Sequence, residues 1–258
     1  MSAYARQARD WVPAAAVFVL AIVVWDGSIA AFHIQQFLLP KPTSIVSSFW
    51  NERHTLWPAG WTTFQEALGG FVGGSLFGMF VATVVGRFKI VGTALMPIAI
   101  AANAIPIIAF APIFNVWFNP LSPHSKMAIS GVLCFLPVMV NTLRGLQSAS
   151  PRQIELMRSY AASDLEIWRR VRVPTALPFV FTSLKVASVL AMIGAVVGEY
   201  FGGSFNALGV LINNDANIFN FVQAWAGILV ASLLGLALYG AVVLSERLIV
   251  RWAPPETL

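Results

Sequence analysis

Residues 160–180 read YAASDLEIWRRVRVPTALPFV. The first half is charged and arginine-rich, and from Pro174 onward the chain turns apolar. Its surroundings are apolar too: 58% of the 258 residues are hydrophobic, 10% are charged, and the mean hydropathy is +0.75. A soluble domain has about a quarter of its residues charged. The composition therefore predicts a polytopic membrane protein, with residues 160–180 as the end of a polar loop running into a span. In lipid, every backbone polar group needs an internal partner, and continuous apolar runs achieve this as helices. The predicted fold class is all-α, in a single transmembrane domain over 1–258.

A hydrocarbon core of roughly 30 Å needs about 20 apolar residues per helix. Six segments qualify, at approximately 12–32, 62–85, 90–112, 126–143, 175–201 and 222–246. Prolines interrupt the third and fourth. In the second, Gly69, Gly70, Gly73, Gly74 and Gly78 crowd together, a spacing that lets helices approach closely. Arg6 and Arg9 precede an apolar run from Val12, as in a signal peptide. The length of that run suits a span, so a retained first helix is expected.

Lysine and arginine predict the orientation. With the N-terminus in the cytoplasm, the inner segments hold Arg6, Arg9, Arg87, Lys89, Arg144, Arg152, Arg158, Arg169, Arg170, Arg172, Arg247 and Arg251, twelve in all. The outer segments hold three: Lys41, Arg53 and Lys126. Both termini are thus expected inside, with residues 144–174 as the longest inner loop. Trp11, Trp61, Trp117 and Trp252 fall near span ends, as interfacial tryptophans do. The longest outer segment, about 33–61, contains LLPKPTSIVSSFW, where Pro42 predicts the start of a short surface helix. The net charge of +5 and pI near 9.8 are accounted for by topology and do not call for nucleic acid.

The inner loop has helix punctuation. Ser150-Pro151 reads as an N-cap followed by proline at the first helical position. Ser163-Asp164-Leu165-Glu166 is a capping box, predicting a second helix over 164–173. Pro174 either stops that helix or starts the next. Leu165, Trp168 and Arg172 share one face by spacing. The pattern fits two readings: a face that docks another protein, and a solvated basic loop lying against the headgroups.

Several chemistries find no residues to carry them. Cys134 stands alone, and His33, His54 and His124 are scattered, so no metal centre is expected. The lysines, Lys41, Lys89, Lys126 and Lys185, follow Pro, Phe, Ser and Leu, so no G-x-x-x-x-G-K-[ST] motif is present. An intramembrane hydrolase would need a dyad or metal motif at depth, which is missing.

Polar residues inside spans are candidates for a solute path. Lys185 fits either a path or snorkelling to the inner surface. Glu199 fits an outer vestibule, a receiver for an external protein, or a helix-end carboxylate. Asn103, between Pro97 and Pro106, fits a path beside irregular backbone or a bond between helices. Asp26 reads as interfacial.

The stretch ELMRSYAASDLEIWRRVRVP, 155–174, resembles the EAA loop of binding-protein-dependent ABC transporter permeases. That loop reads Glu-Ala-Ala, three residues, Gly, nine residues, Ile, one residue, Leu-Pro. Glu155 takes the glutamate position, and Val171, Val173 and Pro174 take the Ile-x-Leu-Pro positions. Leu156 and Met157 replace the alanines, and Ala161 stands in place of glycine, the residue that tolerates φ > 0. LLPKP at 38–42, IPIIAFAPIFNVWF at 105–118, LPFVFTSLKVA at 177–187 and LSERLIVRW at 244–252 look like the nitrate, sulfonate and taurine type of permease.

The resemblance implies an importer subunit of a bacterial inner membrane. It would work as a homodimer with two ATP-binding subunits and an extracytoplasmic solute-binding protein. ATP and Mg would bind the partner subunit, with no cofactor and no catalysis in this chain. Glu155, Tyr160, Ala161, Ser163, Leu165, Trp168, Arg172 and Pro174 would couple the spans to that ATPase. MIGAVVGEYFGG, 192–203, resembles permeases for pyrimidine-like vitamin precursors or riboflavin more than those for sulfonates. The competing expectation is an ion-gradient-driven secondary transporter; against it stand the lack of a visible inverted repeat and the few intramembrane charges.

Overall fold

The computed structural model describes residues 3–87 and 106–252, and every regular element among them is helical. Helix α1 spans Ala3–Ala31 and α2 spans Pro42–Asn51. Helix α3 spans Arg53–Arg87. A 3₁₀ turn at Ile107–Phe110 leads into α4, Ala111–Phe118. Helix α5 is Pro123–Gln147, α6 is Pro151–Ser159 and α7 is Asp164–Ile167. A π turn, Trp168–Arg172, joins α7 to α8, Val173–Tyr200. Helices α9, Leu208–Asn217, and α10, Phe221–Ile249, complete the chain.

Four stretches are long and apolar enough to cross a membrane by length and composition: Arg53–Arg87, Pro123–Gln147, Asp164–Tyr200 and Phe221–Ile249. They coincide with the second, fourth, fifth and sixth expected spans. The first corresponds to α1, whose apolar part is the shorter run Ala15–Ala31. Most of the third, 90–112, lies outside the described residues, as does Asn103.

Helices α3, α5, α8, α9 and α10 share one apolar core built on Leu56, Ala67, Cys134, Ala187, Ala195, Leu208, Ile212 and Val230. The α3–α5 crossing depends on glycine. A Cβ on Gly70 would overlap Ser130, and one on Gly74 would overlap the backbone of Gly131. A Cβ on Gly78 would come 2.7 Å from the Phe135 carbonyl oxygen, whereas Gly73 faces open space. Without side chains, backbones approach closely enough for dense van der Waals contact, which must hold helices together where lipid removes the hydrophobic drive. By contrast, α1 reaches the bundle near its C-terminal end, where Ile29 is buried and Trp25 packs on Trp225 at 5.1 Å.

Two expectations change. Helix α3 begins at Arg53 and carries Pro58 inside it, so the expected outer segment 33–61 is partly the first turns of that span. The second loop helix does not end at 173. The chain passes through the π turn, with the Val173 amide bonded to the Trp168 carbonyl, and Pro174 lies in the first turn of α8. Pro174 thus takes one of its two expected roles, the start of the next helix, where a missing N–H is tolerated.

Candidate functional site

At one end of the bundle, α5 finishes, α8 begins, and α6 and α7 form the connection between them. Ser150 precedes Pro151 in extended backbone, as an N-cap does. Helix α6 closes in a Schellman motif: the Ala161 amide bonds to the Arg158 carbonyl at 2.9 Å and the Ala162 amide to the Met157 carbonyl at 3.1 Å. Ala161 has φ 57°, the left-handed conformation for which glycine is the usual choice. The turn geometry is therefore kept although the glycine is gone.

Helix α7 starts in the expected capping box. The Glu166 amide donates to Ser163 Oγ at 3.3 Å, and the Ser163 amide donates to Glu166 Oε2 at 2.8 Å. The Ser163 hydroxyl adds a bond to Glu166 Oε2 at 3.0 Å.

The candidate coupling residues divide into two groups. Tyr160 and Leu165 are exposed, and Leu156 beside them forms part of the same outward apolar surface. Glu155, Ala161 and Ser163 are exposed as well. Trp168, Arg172 and Pro174 instead turn toward the bundle and are partly buried. A Cβ placed on Gly86 would sit 3.7 Å from the Trp168 ring, so the indole covers the end of α3. Arg172 Nη1 donates to the Leu146 carbonyl at 3.4 Å, tying the loop to the end of α5. Leu165 is exposed, whereas Trp168 and Arg172 are partly buried against α3 and α5, so the face the three share is not uniformly open to a partner.

Lys185 lies on α8 and pairs with Glu246 of α10 at 3.0 Å. It also borders a groove of about 410 Å³ lined by Thr182, Val186, Val189, Leu190 and Tyr239.

The opposite end carries a second polar constellation. Glu199, at the end of α8, is 1% exposed; Lys126 of α5 is 0% exposed, and Glu66 of α3 is 5% exposed. The three ionisable side chains lie close enough to interact electrostatically. The Lys126 ammonium also donates to the carbonyls of Pro120 and Ser122. Buried charges persist only when paired and hydrogen-bonded.

Glu199 also caps a neighbouring helix. Its Oε2 accepts the Gly209 amide at 2.6 Å, and Thr63 Oγ1 accepts the Leu208 amide at 3.0 Å. These are the first two amides of α9, whose own N-cap residue, Ala207, has no side chain able to reach them. Nearby, Asn115 Nδ2 of α4 donates to the Gly198 carbonyl at 3.5 Å. Toward the other end of α9, burial raises the Asp215 carboxyl above its ordinary range; a bond from Asn220 opposes the shift and Glu52 adds to it.

Glu66, Lys126 and Thr63 were not among the sequence candidates. Glu66 had a signal, since an acidic residue inside an apolar span is costly and rare. Lys126 counts among the outer cations by topology, and its side chain is wholly buried.

Residues 74–251 match the family model described as the binding-protein-dependent transport system inner membrane component. Among curated relatives, the riboflavin transport system permease protein of Chloroflexus aurantiacus is 31% identical over 91% of this chain and 87% of its own length. The formylaminopyrimidine transport permease protein of Halalkalibacterium halodurans is 32% identical over 91% of this chain and 93% of its own. The nitrate import permease protein of Leptolyngbya laminosa is 24% identical over 89% and 84%.

Proposed function

This chain belongs to the binding-protein-dependent transport system inner membrane components, and from that premise we propose that it imports a flavin or a pyrimidine-type vitamin precursor. That it is a multi-pass permease subunit of an ABC importer follows from the family and the apolar helices. The solute reading is supported by the identities of 31% and 32% to the riboflavin and formylaminopyrimidine permeases, against 24% to the nitrate permease.

In this reading the chain pairs with a second copy, and each copy seats its α6–α7 loop on an ATP-binding subunit. ATP and Mg bind there, and no chemistry takes place in the permease. Tyr160, Leu165 and Leu156 meet the partner, while Trp168 and Arg172 transmit its motion into α3 and α5. Pro174 lets the loop run into α8 without a joint. Lys185 borders the solute path along the groove on α8. Asn103 remains a path candidate in the segment between α3 and α4.

Both termini and the loop face the cytoplasm. A cysteine at Ser163 should be labelled by impermeant maleimide only from that side, and a cysteine at Asn214 only from the opposite side. Reversal of this pattern would overturn the orientation.

The functional test is reconstitution of the permease with its ATP-binding subunit and its solute-binding protein in proteoliposomes. ATP-dependent uptake of labelled riboflavin or formylaminopyrimidine, with none of taurine or nitrate, is the expected result. Uptake of nitrate or taurine alone would reject the solute reading and leave the importer reading standing. Uptake driven by an ion gradient without ATP would reject both.

A further inference from the structure

The α9 cap has no local source. Ala207 offers no acceptor, so the amides of Leu208 and Gly209 are satisfied by Thr63 and Glu199 from two different spans. An unsatisfied buried amide costs about 1–3 kcal/mol. Both acceptors are therefore held in place by what they bind.

The packing around them is equally tight. Leu208 is wholly buried, and a Cβ on Gly60 of α3 would come 3.6 Å from its Cδ1. A Cβ on Gly209 would come 2.7 Å from Glu199 Cβ. Only glycine lets the α9 backbone approach α8 this closely. Glu199 is 1% exposed among α3, α5 and α9, so its side chain has little room to change rotamer.

Glu199 also has a distinctive position along its helix. The helical stretch Asp164–Tyr200 runs unbroken for 37 residues, with the Ser163 capping box at one end and Glu199 at the other. At about 1.5 Å per residue it spans the bundle.

We propose that Glu199 and Thr63 are positioning residues that clamp the N-terminus of α9 onto the end of α8 and onto α3, so that these three segments move as one block when the loop at the far end is driven. The inference rests on the importer reading above and deepens it by assigning a rigid body to the end remote from the ATPase. Motion entering at α7 then reaches α9 through the direct Glu199–Gly209 bond rather than through the 201–207 turn.

The test uses the permease assembled with its ATP-binding subunit in lipid nanodiscs. One preparation carries spin labels at Trp57→Cys and Asn214→Cys, both at exposed positions, and Cys134 is buried and stays unlabelled. A second carries a label at Gln153→Cys alone, an exposed position on α6 outside the docking residues, which reports the distance between the loops of the two copies. Distances are measured without nucleotide and with ATP and vanadate.

In the otherwise unaltered chain, the loop distance should change with nucleotide while the Trp57–Asn214 distance stays the same and narrow. With Glu199→Ala or Gly209→Val, the loop change should persist, and the Trp57–Asn214 distribution should broaden in the ATP state only. Glu199→Gln, which keeps an acceptor oxygen for Gly209, should restore the narrow distribution.

A Trp57–Asn214 distance that changes with nucleotide in the unaltered chain would overturn the inference. So would a distribution that Glu199→Ala leaves narrow, or one equally broad in both states, which marks a packing role alone. If the loop labels fail to respond to nucleotide in the unaltered chain, the importer reading fails and this inference falls with it.

Discussion

Lys185 Nζ lies 3.0 Å from Glu246 Oε2, and the pair joins α8 to α10 with 17% and 21% of the two side chains exposed. That exposure is too low for a freely solvated surface pair and too high for a wholly desolvated one, so the contribution should fall between the two limits. Lys185→Met and Glu246→Gln should each lower thermal stability in detergent. The double variant should recover part of the loss, with a coupling of about 1–2 kcal/mol. Additive losses would mean that Lys185 reaches solvent independently of Glu246.

The glycine run of α3 separates cleanly into contact and non-contact positions. Gly74→Ala places a methyl into the backbone of Gly131 and should cost at least about 2 kcal/mol, because overpacking against backbone cannot relax by rotamer change. Gly73→Ala meets nothing within 4 Å and should be neutral or slightly stabilising, since alanine favours the helix by about 1 kcal/mol. Thermal unfolding of the two single variants decides the matter. Equal effects would contradict the α3–α5 crossing described above.

Ala161 carries a Cβ in the left-handed region at φ 57°. That conformation costs a non-glycine residue about 1–2 kcal/mol. Ala161→Gly should therefore stabilise the loop by about 1 kcal/mol after the added freedom of the unfolded glycine is subtracted. Slower amide exchange at Ala162 and at the α7 amides would register it. Unchanged or faster exchange would show that the loop does not rely on this turn.

Much of the fold was legible because bilayer thickness sets the length of an apolar run. The spans at 126–143 and 222–246 fall inside α5 and α10, and the Pro42 start and the Ser163–Glu166 box are both present. These are local signals, encoded by residues within one or two turns of one another.

The remote polar end was not legible for the opposite reason. Thr63 and Leu208 are 145 residues apart, and nothing near Ala207 announces that its helix is capped from elsewhere. Glu199 was singled out, but its engagement with Gly209 requires the turn at 201–207 to fold back. Trp168 shows a third limit. Helical periodicity puts it beside Leu165, but that its ring reaches Gly86 at the end of α3 depends on how the loop packs, which no local signal foretells.

Burial separates two roles within the loop. Leu165 and Tyr160 are 61% and 77% exposed, on the outward face of α6–α7, while Trp168 and Arg172 hold the loop to α3 and α5. Large exposed apolar side chains flanked by charge are what a docking patch offers a partner, and a few of them carry most of its energy. Tyr160→Ser and Leu165→Ser should leave the thermal stability of the isolated permease unchanged within about 0.5 kcal/mol. Their yield of co-purified ATP-binding subunit should fall at least about tenfold, a loss of about 1.4 kcal/mol in binding. Trp168→Ala should do the reverse: it uncovers the end of α3, lowers the stability of the permease, and weakens partner capture less than Leu165→Ser does. Size-exclusion recovery of the complex together with thermal unfolding of the permease alone gives both readouts. If Trp168→Ala abolishes capture while stability is untouched, the indole faces the partner and the two-sided division of the loop is wrong.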